Sequence, residues 1–117
     1  MKLKILLTTL LLFLIPNLAK GQQSVKLFFV ATAVDVNGTE SSFSNEVSAT
    51  VTSNPLHNIV DLSWIASTST VAGYNVYWSK VSGGSYQKAN VALISGLTFT
   101  YTFTFPSPPT MNPPTVP

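Results

Sequence analysis

The chain has 117 residues, with six lysines, no arginine, four acidic residues, one histidine and no cysteine. Without cysteine it has neither disulfides nor thiolate metal sites, and without arginine it lacks the clustered positive charge that grips phosphate backbones, which excludes nucleic acid as a partner. Such a length accommodates one domain of ordinary size, whose stability must come from a packed core.

The first element is a leader. Lys2 and Lys4 precede an apolar run from Ile5 to Ile15, and Pro16 leads into Ala19, Lys20 and Gly21. A basic segment, an apolar segment and a small-residue site in that order form the pattern of a secretory signal peptide, residues 1–21. The run is eleven residues long, short of the about 20 needed to span a membrane as a helix. Cleavage is expected after Gly21, with an uncleaved membrane tether as the alternative because Lys20 adjoins the site. Once the leader is removed no membrane association is expected. Residues 22–117 keep Lys26, Lys80 and Lys88 against Asp35, Glu40, Glu46 and Asp61, a net charge of −1. The basic character of the full chain therefore belongs to the leader.

Beyond the leader the dominant spacing is two, which sends alternate side chains to opposite faces of a sheet. Residues 27–34 are apolar on both faces, as in a central strand covered on each side. Here Phe29, Ala31 and Ala33 are candidate core residues. A turn follows at Asn37-Gly38. In "NEVSATV" Val47, Ala49 and Val51 point inward against Glu46, Ser48 and Thr50. Asn54-Pro55 breaks that strand. "IVDLSW" places Val60, Leu62 and Trp64 on one face with Asp61 and Ser63 on the other, and in "GYNVYW" Tyr74, Val76 and Trp78 alternate with Asn75 and Tyr77. Gly83-Gly84 and Ser95-Gly96 mark further reversals. "LTFTYTFTF" alternates Leu97, Phe99, Tyr101, Phe103 and Phe105 with threonines. Residues 106–117 contain six prolines, which bar a ladder strand and predict an extended tail. Six short strands without helical periodicity predict an all-β sandwich over residues 22–105.

Two stretches carry a resemblance. "HNIVDLSWIASTSTVAGYNVYWSKVSGGSYQKANVALISGLTFT" resembles the first half of a bacterial fibronectin type III repeat, with Trp64 at the tryptophan of strand B and Tyr74 at the tyrosine of strand C. "LFFVATAVDVNGTESSFSNEVSATV" resembles the second half, strands F and G, yet it comes first in the chain. The resemblance implies an immunoglobulin-like sandwich in circularly permuted strand order, with strands B, C, C′, E, F and G present and strand A missing. New termini would fall at the exposed corner between strands E and F. Two features favour a fragment of a longer repeat array instead. Leu27 stands where the family has a corner tyrosine, a lost hydrogen bond worth on the order of 1 kcal/mol, and the repeat pattern fades after Thr100 into proline. Exchange of halves between two chains is a third outcome, since an unclosed sandwich exposes strand edges.

No catalytic apparatus is legible. His57 is alone beside Pro55, no nucleophile and base fall into a recognisable motif, and four dispersed carboxylates do not form a glycosidase pair. "DVNGTE", residues 35–40, lacks the ligand set of a calcium loop and reads as a hairpin turn, so no metal or cofactor is expected. Asn37 also fits the N-glycosylation rule, without implied use in a bacterial-looking chain. Trp64 reads as core, whereas Tyr77, Trp78 and Tyr86, with Asn37 in the neighbouring loop, are candidate contacts for a polysaccharide or protein. The expectation is a secreted or cell-surface, non-catalytic adhesion module, monomeric or a half-exchanged dimer. A structural spacer is the alternative.

Overall fold

The computed structural model describes residues 22–106 and, as backbone, Ile5–Thr8. The expected cleavage point at Gly21 and the tail after Pro106 lie outside the described residues. Strands β1 (Ile5–Thr8), β2 (Ser24–Val34), β3 (Val47–Thr52), β4 (Ile59–Trp64), β5 (Gly73–Ser79), β6 (Gln87–Lys88) and β7 (Thr98–Thr102) make up the described secondary structure, with no helix among them. They form two antiparallel sheets, ordered β1-β4-β7 and β3-β2-β5-β6. The all-β expectation therefore holds.

β2 is the spine of the larger sheet. Its first half pairs with β3, from Ser24↔Thr52 to Phe29↔Val47, and its second half pairs with β5, from Phe28↔Ser79 to Val34↔Gly73. The strand thus reaches about 45 residues forward in the chain for one of its neighbours. Apolar residues on both of its faces are consistent with this position. Leu27, Phe29, Ala31 and Ala33 face the core, while Val30 and Thr32 are buried on the opposite face.

Inward positions follow the period of two. Val60, Leu62 and Trp64 of β4 meet Phe29, Ala31, Ala33, Ala49, Val51, Tyr74 and Val76 of the larger sheet, and Val47 is half-buried beside them. Burying each aliphatic side chain of this kind contributes about 1.5–3 kcal/mol. Trp64 tilts against Tyr74 at 5.4 Å between ring centroids, and the Tyr74 hydroxyl accepts the Ser67 N–H at 2.9 Å. Leu27 is fully buried in the core.

The last expected strand is shorter than its alternation. The ladder of β7 ends at Thr102, and Phe103 turns its N–H to the Asn58 carbonyl while Asn58 Nδ2 donates back to the Phe103 carbonyl. Phe103 still fills the core, with Phe105 packed edge-on at 4.8 Å. Leu97 departs from the expected face: it lies before the ladder, directly after Gly96, and is exposed.

Two devices replace ladder bonds where strands run out. Beyond Phe29 the β2 edge has no β3 partner, and two serines spaced three apart take over. Ser44 Oγ accepts the Ala31 N–H at 2.8 Å and Ser41 Oγ accepts the Ala33 N–H at 2.9 Å, while the Ser44 and Ser41 amides donate to the carbonyls of Ala31 and Ala33. At the other edge, Asn90 Oδ1 accepts the Val76 N–H at 2.8 Å, and its Nδ2 donates to Asn75 Oδ1 and the Ala92 carbonyl. Buried backbone groups stay paired without regular strand.

Candidate functional site

Neighbouring residues on β5 part ways. In the register, Trp78 stands opposite Phe29 and Tyr77 opposite Val30, so the two aromatic rings occupy opposite faces of the sheet. Trp78 lies inward, packed on Tyr101 at 5.6 Å and Phe103 at 5.9 Å. Tyr77 lies on the outer face, over which the loop between β2 and β3 folds.

That loop is shaped at its tip by Asp35. The Asp35 side chain accepts the N–H groups of Asn37 and Thr39, both at 2.9 Å, and its backbone closes the turn with Gly38 and Thr39. Gly38 has φ of +86°, a conformation that glycine adopts without penalty. Asn37 is therefore an exposed tip residue, apart from the aromatic residues below. The ends of the loop are pinned by Ser41 and Ser44, which leaves Phe43 projecting between them.

Phe43 connects the two candidate tyrosines. Its ring meets Tyr77 at 5.5 Å and Tyr86 at 5.2 Å, both edge to face, so that one strip of three aromatic rings crosses the outer face. Phe43 is 52% exposed. Each such pair adds about 0.5–1.5 kcal/mol beyond area burial, which holds the strip without covering it.

A carboxylate stands at each end. Glu40 accepts the Thr32 hydroxyl at 2.6 Å and the Tyr77 hydroxyl at 2.8 Å. Glu46 accepts Ser82 Oγ at 2.6 Å, the Gly83 N–H at 2.8 Å and the Tyr86 hydroxyl. The bond from Thr32 chiefly holds Glu40 below the usual carboxylate range, against partial burial, with help from Tyr77, Asn75 and the charge of Lys88. Glu46 is lowered by Ser82 first, then by Tyr86 and Gly83. Both tyrosines are pushed above the ordinary phenol range by burial, and by the carboxylate each one serves. At neutral pH the strip carries two ionised carboxylates and two phenols that donate to them. A shallow cleft of about 220 Å³ between the stretches 35–41 and 69–71 includes Glu40 in its lining.

Sequence spacing identifies Tyr77 and Tyr86 but not Phe43, Glu40 or Glu46. Their assembly joins residues 34 to 43 positions apart, and no local pattern announces it. Elsewhere His57 lies in a turn, its N–H on the Asn54 carbonyl, and Asp61 accepts the Thr100 hydroxyl. No three of His, Asp and Glu gather to hold a metal ion among the described residues. The arrangement can offer the half-exposed Phe43 ring to an apolar group and accept hydrogen bonds at its two ends. Comparison with known proteins finds no family model, no curated protein and no solved structure that matches this chain.

Proposed function

We propose that the chain is a secreted, non-catalytic binding or adhesion module of fibronectin type III type, in circularly permuted strand order, which presents its outer sheet face to a glycan or protein surface. The observation that carries the binding reading is the strip Tyr77-Phe43-Tyr86, with the middle ring half exposed and a carboxylate at each end. Aromatic faces stack on sugar rings or on apolar side chains, and flanking acceptors orient hydroxyl or amide groups. The permuted sandwich is supported by the strand orders. β3-β2-β5-β6 matches the G-F-C-C′ order that the resemblance implies, and β4 beside β7 matches B beside E.

A structural spacer or a truncated fragment of a longer array is the second reading. It is favoured by the intramolecular bonds that already engage Tyr77 and Tyr86. Glycan and protein arrays probed with the wild-type chain and with Phe43→Ser separate the two. A module binds, and loses at least tenfold in affinity on substitution while its circular dichroism is unchanged. Absence of any wild-type binding leaves the spacer.

A further inference from the structure

The smaller sheet contains a strand that comes from the segment read as a leader. β1 pairs antiparallel with β4 in the register Ile5↔Trp64, Leu6↔Ser63, Leu7↔Leu62 and Thr8↔Asp61. The other edge of β4 belongs to β7: the Trp64 N–H donates to the Leu97 carbonyl and the Asn58 carbonyl accepts from Phe103. Backbone groups alternate in direction along a strand, so Asn58, Val60, Leu62 and Trp64 address β7 while Asp61 and Ser63 address β1. Signal-peptide cleavage would take away the partner of that second edge.

We propose that in the exported chain the edge of β4 is a strand-acceptor site, filled by an extended, proline-free apolar segment of a different polypeptide. The inference rests on the reading of residues 1–21 as a cleaved leader. The chemistry of the occupant follows from what fits there, an apolar tetrapeptide in antiparallel register that completes a ladder rather than filling a pocket. The shape of the slot restricts it further. β3 is the outermost strand of the larger sheet on the side of β1 and lies against β1 across the sandwich. An occupant of this slot, like β1, both pairs with β4 and packs against β3. The chain's own tail is unsuited, because six prolines between residues 106 and 117 interrupt any ladder.

The test uses the protein secreted by expressing cells. Intact mass first reports whether residues 1–21 are gone; a retained leader overturns the proposal along with the reading it rests on. The processed chain is then titrated with a synthetic peptide of residues 3–10, LKILLTTL, and with the same peptide carrying Leu7→Pro. Saturable binding of the first peptide, at least tenfold slower amide exchange at Asp61 and Ser63, and at least tenfold weaker binding of the proline peptide are expected. A processed chain that gains β-sheet dichroism only when the first peptide is added is an equally supporting outcome. No binding, no change in exchange, or equal binding of the two peptides overturns the proposal. The variant Phe43→Ser should bind the first peptide like the wild type, which keeps this result separate from the fate of the aromatic strip.

Discussion

Replacing Asn90 with alanine should destabilise the fold far more than the loss of a small polar side chain near the surface ordinarily does. Asn90 is 6% exposed, and its two neighbours in the network are more deeply buried, Asn75 at 3% and Val76 at 0%. Alanine removes the acceptor of the Val76 N–H, 2.8 Å away, and the donor to Asn75 Oδ1, also 2.8 Å away. The third partner, the Ala92 carbonyl, belongs to an exposed residue and can turn to water. Two buried groups are left orphaned, at about 1–3 kcal/mol each, which gives about 2–6 kcal/mol. That is a large share of the roughly 5–15 kcal/mol typical of a domain. Urea unfolding followed by tryptophan fluorescence measures it. The double variant with Asn75→Ala removes one of the two orphans, so the pair should be less costly than the sum of the singles by about 1 kcal/mol or more. A single-variant cost below about 1 kcal/mol, or strict additivity, would refute the claim that Asn90 substitutes for a missing strand.

Three other outcomes follow from the same structure. Leu56 is 72% exposed and has φ of 71°; Leu56→Gly should relieve left-handed strain and, after the flexibility that glycine adds, raise stability by about 0.5–1 kcal/mol in a thermal melt. Gly73 is the reverse case, because a Cβ there would lie 3.0 Å from the Ile94 carbonyl oxygen and 3.1 Å from Leu93 Cβ; Gly73→Ala should cost about 1–3 kcal/mol by the same melt. The acids Glu40 and Glu46 have lowered folded-state pKa values, so their stabilisation is fully present above the unfolded value of about 4.3 and is lost as pH falls through the lower folded values. Tyr77 and Tyr86 are shifted upward, so their contribution is present below about 10 and is lost as pH rises through their higher folded values. Undocking of the loop at Phe43, followed by nuclear magnetic resonance of its ring, should therefore occur at both extremes and not between them.

The faces of the strands were legible in the sequence because alternation is a local property. The same parity that put Val60, Leu62 and Trp64 inward also separated Tyr77 from Trp78, and the register places them on opposite faces. Residues 27–34 announced a strand covered on both sides by being apolar at odd and even positions alike. Alternation could not tell where a ladder stops. Phe105 fits the pattern of β7 but lies beyond its hydrogen bonds, which end where Asn58 captures Phe103, and Leu97 keeps its carbonyl on the Trp64 N–H while its side chain is exposed. Nor could it show the aromatic strip, which depends on a loop folding across a sheet face. The serines that pin that loop, and Asn90 on the far edge, act through side chain to backbone bonds that leave no periodic trace. Trp78, a candidate contact in the sequence, packs inward against Tyr101 and Phe103 instead.

The placement of β2 also has a consequence for synthesis. This strand emerges early, yet one whole flank waits for Gly73–Ser79, and the sheet that caps its inner face waits longer still for Thr98–Thr102. Nearly the entire polypeptide must leave the ribosome before any stable unit can close, so the nascent chain stays pliable through most of its elongation.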